Sequence, residues 1–152
     1  MGKKFTRGTT LIELVVAMAV TTIVLSSVTA LSIFAYSASF SFSKKTVVTN
    51  NLNGLKNYLR QFVDNNNGTF LSVNSNYGPD NQRCFVTKVN DIETTYSYKG
   101  SEFKTSEEVL YNSRYDFILG IESLNEAKDL YKFSFRYGTI NEYILLNIYK
   151  VG

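Results

Sequence analysis

The chain has 152 residues, enough for one domain and an anchor. Sixteen Lys and Arg stand against 13 Asp and Glu, and Lys3, Lys4 and Arg7 account for the whole excess, so the rest of the chain advertises no nucleic-acid surface. There is no His, and Cys84 is the single Cys, which excludes an intramolecular disulfide and a Cys-based zinc site and removes the usual general base.

The basic leader ends at Gly8, and the chain then turns apolar. From Leu14 to Ser43 there are 30 residues without a charge. As a helix they would run about 45 Å, against about 20 residues needed to cross a bilayer core. The first part, "LVVAMAVTTIVLSSVTALSIF", is the more apolar. The end, "AYSASFSFS", is mixed and is expected to leave the bilayer. Lys3, Lys4 and Arg7 hold the N-terminus in the cytoplasm by the positive-inside rule. A secretory signal peptide has a shorter apolar run and a small-residue cleavage site behind it. Neither it nor a plain signal anchor explains Glu13. A carboxylate in a membrane helix costs at least about 2.5 kcal/mol, and such residues usually have a partner. Thr9 and Thr10 are the only polar neighbours in the segment, so a charged partner is expected from elsewhere.

The stretch "RGTTLIELVVAMAV" resembles the N-terminus of type IV prepilins, shared by pilins and by the pseudopilins of secretion and DNA-uptake machines. The family pattern is a short basic leader ending in Gly, followed by an apolar helix whose fifth mature residue is Glu. Gly8, Thr9 and Glu13 occupy those positions. The resemblance covers about the first 40 residues. It implies cleavage by prepilin peptidase between Gly8 and Thr9, N-methylation of Thr9, and a salt bridge from Glu13 to the Thr9 amine of a neighbouring subunit. A buried carboxylate and a buried ammonium are each expensive alone and tolerable together. Three features depart from the best-known Gram-negative major pilins. Thr9 stands where Phe is usual, Ala30 stands where many have a kinking Pro, and one Cys cannot close a C-terminal disulfide loop. They fit a minor pilin or a Gram-positive relative, with a continuous helix.

Past Lys44 and Lys45, Val48, Leu52, Leu55, Leu59 and Phe62 recur at spacings of four and three, one stripe of a helix. "DNNNG", residues 64–68, has the composition of a helix stop, with Gly68 free to take positive φ. The pattern predicts one helix from about Leu11 to Val63. Its amphipathic half, about residues 44–63, should pack on a sheet, and Gly54 weakens it locally. Strands follow. A short one is expected at Phe70 to Val73, and another in "RCFVTKV". "DIETTYSYKGSEFK" reads as a hairpin about Lys99-Gly100. "RYDFILGI" puts Tyr115, Phe117, Leu119 and Ile121 on one face. "LYKFSFRYG" sets Tyr131, Phe133, Phe135 and Tyr137 against Lys132, Ser134 and Arg136. "SLNEAKD" reads as a turn or a single helical turn, residues 138–141 are a turn, and "EYILLNIYKV" is a strand apolar on both faces. The expected class is α+β, pilin-like: a long N-terminal helix on a mostly antiparallel sheet.

Several other constellations point to packing or solvation. The aromatic strand with Lys132 and Arg136 could stack nucleic-acid bases, but alternating aromatics are also what a half-buried strand needs. Asp64, Asn66 and Gly68 lack the spacing of an EF-hand, with Ser75 where its Glu would stand. Asn67-Gly68-Thr69 is a formal glycosylation triplet. Glu102, Glu107 and Glu108 have no supporting base or nucleophile and read as a solvated loop. Cys84 reads as a buried thiol. No catalytic site and no cofactor are expected.

The sequence thus divides into a leader at 1–8, a membrane or filament-core helix at 9–42 and a globular head at 43–152. The expected role is a structural subunit, a minor pilin, of a type IV pilus-like filament. Its partners would be prepilin peptidase, the cytoplasmic membrane before assembly, and other pilin subunits at the cell surface, with nucleic acid through Lys132 and Arg136 as a further candidate. A pseudopilin of type II secretion or of competence is the near alternative. A membrane-anchored monomeric binding or sensor domain is the alternative of another class.

Overall fold

The computed structural model describes residues 10–74, 82–127 and 129–151. Helix α1 spans Leu11–Asn66. Two compact units divide between Lys45 and Thr46.

In the first unit every described residue is exposed. Neither Gly nor Pro occurs between Gly8 and Gly54, so nothing in the sequence breaks the i→i−4 ladder. The hydroxyls of Thr21, Thr22, Ser26, Ser27, Thr29 and Ser32 each donate to the carbonyl four residues earlier, at 2.7–2.9 Å. That local bond lets a polar side chain sit on an apolar helix with no outside partner. This helix is long and apolar enough to cross a membrane.

In the second unit Val48, Leu52, Leu55, Leu59, Phe62 and Val63 form the buried stripe of α1. The helix stops three residues later than expected, at Asn66. There the Asn66 amide donates to the Phe62 carbonyl at 2.8 Å, and Gly68 takes φ +84°, the left-handed turn that ends many helices. The Gly68 N–H donates to the Tyr149 carbonyl at 3.0 Å, which ties the helix end to the chain's last segment.

Among the described residues eight strands follow, in two antiparallel sheets rather than one. The first contains β1 (Phe70–Val73), β2 (Gln82–Val89), β3 (Ile92–Lys99), β4 (Glu102–Lys104) and β5 (Val109–Asn112), in that order. The second contains β6 (Ile118–Ser123), β7 (Leu130–Tyr137) and β8 (Ile140–Asn147). A parallel bridge from Phe70 to Lys150 joins the chain's last segment to β1. Three hairpins turn on two residues. Asn90-Asp91, both at positive φ, join β2 to β3, as a type I′ turn requires. Gly100-Ser101 and Gly138-Thr139 have positive φ only at Gly, the pattern of type II′.

One cluster of buried side chains fills this unit. Phe62 touches the rings of Phe70, Phe85, Tyr96 and Phe103 with centroids 4.7–6.3 Å apart. From β7, Tyr131, Phe133 and Phe135 point into it, as do Leu119 and Ile121 from β6. The sequence placed these faces correctly but missed β5 and the Asn90-Asp91 hairpin. It started β6 four residues early and gave four residues to the turn at Gly138. The last strand, apolar on both faces in sequence, buries only Ile144, Leu146 and then Ile148, and leaves Tyr143, Leu145 and Tyr149 exposed.

Candidate functional site: the first turn of the long helix

Glu13 stands in the first turn of α1. Thr10 precedes the helix and acts as its N-cap. The Thr10 hydroxyl accepts from the Glu13 N–H at 3.3 Å, and a Glu13 carboxylate oxygen accepts from the Thr10 N–H at 2.9 Å. This reciprocal pair is a capping box, which satisfies two backbone donors that a helix N-terminus otherwise leaves open. A carboxylate is also favoured there by the helix dipole. Glu13 therefore has a backbone partner within its own helix as well as the charged partner expected from a neighbour. The spacing Thr-x-x-Glu was visible in "TLIE" and names the local one. The capping box holds Glu13 without neutralising it.

Around this carboxylate the surface is apolar. Leu11, Ile12, Val15 and Val16 line a shallow depression with no polar lining. Leu11 and Ile12 are 79% and 75% exposed. Lys3, Lys4, Arg7, Gly8 and Thr9 lie outside the described residues. What is in view is therefore the acidic half of the expected ion pair, held at a helix end and open to a partner.

The other singled-out residues sit in the second unit. Tyr131, Phe133 and Phe135 are buried at 1% exposure or less, so their rings pack the core and offer no stacking surface. Lys132 lies 5.3 Å from the Tyr143 ring centroid and 4.0 Å from Glu122. Arg136 is exposed on the same outward face. Glu107 and Glu108 are exposed, and their N–H groups donate to the Thr105 hydroxyl at 3.2 and 3.1 Å. Glu102 pairs with Lys104 at 3.0 Å. The Asn67 amide accepts from the Tyr149 N–H at 3.0 Å and donates to the Asn147 carbonyl at 3.4 Å, so both ends of the glycosylation-type side chain are engaged. Cys84 is fully buried, and burial pushes its thiol up to about 12. Among the described residues no three His, Cys, Asp or Glu gather as a metal site would need.

Three polar contacts tie the packed part of α1 to the sheet-forming part of the chain, and none was legible in the sequence. The Asn51 side-chain carbonyl accepts from the Ser113 hydroxyl at 2.7 Å and from the Arg114 N–H at 3.1 Å, fixing the link between the two sheets. The Lys56 ammonium meets the Glu142 carboxylate at 2.5 Å.

Residues 3–29 match the prokaryotic N-terminal methylation motif. Comparison with curated proteins and with solved structures gives no match. The matched segment includes the start of a helix long and apolar enough to cross a membrane, and it supports a type IV pilin-like reading of the chain.

Proposed function

We propose that the chain is a minor pilin of a type IV pilus-like filament. It is made as a single-pass precursor with its N-terminus inside, cut by prepilin peptidase after Gly8, methylated at Thr9 and assembled through its helix. Glu13 then accepts a salt bridge from the Thr9 amine of a neighbouring subunit, which fixes the axial register between helices. The head carries whatever is specific to this subunit at the cell surface.

The observation that supports this reading is the exposed Glu13 carboxylate in the first turn of a helix whose surface is apolar and uncovered from Leu11 to Phe42. A lone bilayer would cover the apolar surface but would leave the charge uncompensated. A bundle of like helices covers the one and neutralises the other. The choice of minor over major subunit rests on Thr9, Ala30 and the single Cys.

The test is the N-terminus and intact mass of the protein extracted from its native membrane. A chain beginning at Thr9, with or without one added methyl group, is the expected result. A chain beginning at Met1 or Gly2 would mean a plain signal anchor. A cut near residues 37–41 would mean ordinary secretion. Either would overturn the proposal.

A further inference from the structure

The chain contains two Asn-Gly pairs, Asn53-Gly54 and Asn67-Gly68. Such a pair is prone to react with itself, because glycine sets no Cβ in the way of its own backbone nitrogen. That nitrogen must turn toward the Asn side-chain carbon, and both must be free to move. Asn53-Gly54 lies inside α1, where the helix ladder holds the glycine N–H. Asn67-Gly68 lies just past the end of α1, with Gly68 exposed and Asn67 half-buried. Three hydrogen bonds hold this second pair, and all three come from the chain's last segment. The Gly68 N–H donates to the Tyr149 carbonyl at 3.0 Å. The Asn67 side-chain oxygen accepts from the Tyr149 N–H at 3.0 Å, and its side-chain nitrogen donates to the Asn147 carbonyl at 3.4 Å. The attacking nitrogen, the carbonyl it would attack and the amine that would leave are thus clamped together by residues 147–149. That segment is held in turn by Ile148 N–H to the Asp129 carbonyl at 2.7 Å and by Val151 N–H to the Phe70 carbonyl at 2.9 Å.

We propose that Asn67 is a self-modifying site held shut by residues 147–151, and that its conversion to aspartate or isoaspartate unlatches that segment for good. The inference concerns the head alone and stands apart from the filament reading. When the segment comes away, a local opening well short of global unfolding, all three bonds are lost at once. The Gly68 nitrogen, its proton given to water, then attacks the Asn67 Cγ. The new C–N bond closes a succinimide ring, the bond from Cγ to Nδ2 breaks, and ammonia leaves with a proton from water. A second water opens the ring. Opening at Cγ gives aspartate, and opening at the Asn67 backbone carbonyl gives isoaspartate. Neither product restores the clamp. Aspartate still accepts from the Tyr149 N–H but has no proton for the Asn147 carbonyl, and it sets a negative oxygen against that carbonyl. Isoaspartate brings the Cβ of residue 67 into the main chain and so lengthens the link from α1 to β1, which moves the Gly68 N–H off its acceptor. The segment that ties the helix end to β1 is then left loose in every chain that has reacted.

The test follows both Asn-Gly pairs by peptide mass spectrometry in the full chain, incubated in detergent at neutral pH and, in parallel, in denaturant. Asn67 should convert at least about tenfold more slowly in the folded chain. Val151→Pro deletes the outermost bond of the segment, at a 45% exposed position, and leaves the core intact. It should speed conversion of folded Asn67 by about threefold to tenfold, the worth of one hydrogen bond, and leave Asn53 unchanged. Asn67→Asp should raise amide exchange at Gly68 and Tyr149 severalfold. Equal rates at Asn67 in folded and denatured chains would show that the clamp does not restrain the site, and would overturn the proposal. A Val151→Pro effect that is absent, or that is matched at Asn53, would show that the last segment is not the gate and would overturn it too. Unchanged exchange in Asn67→Asp would show that the aspartate keeps the latch closed, and would overturn the unlatching.

Discussion

The Glu13 carboxylate accepts a hydrogen bond from the Thr10 N–H, three residues back, at 2.9 Å, while the Thr10 hydroxyl accepts from the Glu13 N–H. Glu13 thus has a local task, capping its helix, beside the proposed task of meeting a neighbour's amine. Two substitutions separate them. Glu13→Gln keeps the capping geometry, since Gln serves at that position as Glu does, but removes the charge. Thr10→Ala keeps the charge and removes the hydroxyl half of the cap, at a cost of about 1 kcal/mol to the first turn. The expected outcome is loss of filament incorporation with Glu13→Gln and near-normal incorporation with Thr10→Ala, read by immunoblot of sheared surface fractions. Faster amide exchange at residues 11–14 should mark Thr10→Ala alone. If Thr10→Ala were the more damaging change, capping and not charge would be the function of Glu13.

Gly54 is not only a weak point in the helix. A Cβ there would stand 2.9 Å from the Tyr111 hydroxyl oxygen, and the Tyr111 ring is stacked on Tyr58 with centroids 4.8 Å apart. The glycine lets β5 lie close on α1. Gly→Ala inside a helix normally stabilises by about 0.5–1 kcal/mol. Here the gain should be cancelled or reversed, because a stacked ring cannot swing away without losing its contact. In a Tyr111→Phe background the usual gain should return. Denaturant unfolding of the four chains of this cycle should give a coupling of at least about 0.5 kcal/mol. A coupling near zero would show that Tyr111 gives way freely.

Lys56 and Glu142 meet at 2.5 Å, with the Lys side chain 14% exposed and the Glu side chain 37% exposed. Glu142 lies on the core-facing side of β8, between Ile140 and Ile144, so the pair registers β8 against the helix. Losing one partner leaves the other half-buried and uncompensated. Glu142→Ala should cost about 1–3 kcal/mol, between the surface and the fully buried cases. Lys56→Met with Glu142→Leu should recover most of it. A double variant no more stable than Glu142→Ala would show that the ion pair itself, rather than the avoided orphan charge, supplies the stability.

These cases show what the sequence could and could not carry. The helix was legible because apolar residues recur at spacings of three and four from Val48 to Phe62 and because no Gly or Pro interrupts the run before Gly54. The inward faces of β6 and β7 were legible from strict alternation. β5 was not, because "VLYN" is four residues long, follows three solvated positions and is held by Tyr111 packing on a helix 50 residues away. The Asn90-Asp91 turn was missed because a type I′ turn usually shows itself by a Gly, and here Asn and Asp both take positive φ. Gly54 read as a flaw because its partner, Tyr111, is distant in sequence. The charge of Glu13 was legible as an acid in an apolar run, whereas its bond to the Thr10 N–H depends on where the helix begins, which the apolar run alone does not mark.

Cys84 gives the head a sensitivity to alkali whose sign is fixed. Burial pushes its thiol from an ordinary 9.0 up to about 12, partly opposed by a hydrogen bond involving the Tyr98 backbone. Above pH 9 the unfolded chain releases the thiol proton while the folded chain keeps it. The folded state then holds more protons, so unfolding becomes easier as pH rises, by at most about 1.4 kcal/mol per pH unit from this group. The contribution is whole below pH 9 and lost as pH rises through about 12. Burial also raises the phenols of Tyr58, Tyr98 and Tyr111 from 10.0, and these add the same sign above pH 10. Denaturant midpoints of the full chain in detergent, taken from pH 8 to pH 10, should fall from about pH 9. In Cys84→Ala the midpoint should start lower, for the lost packing, but stay level to about pH 10 before the tyrosines act. Parallel curves for the two chains would show that the thiol stays protonated in the unfolded chain or ionises in the folded one, and would remove Cys84 as the cause.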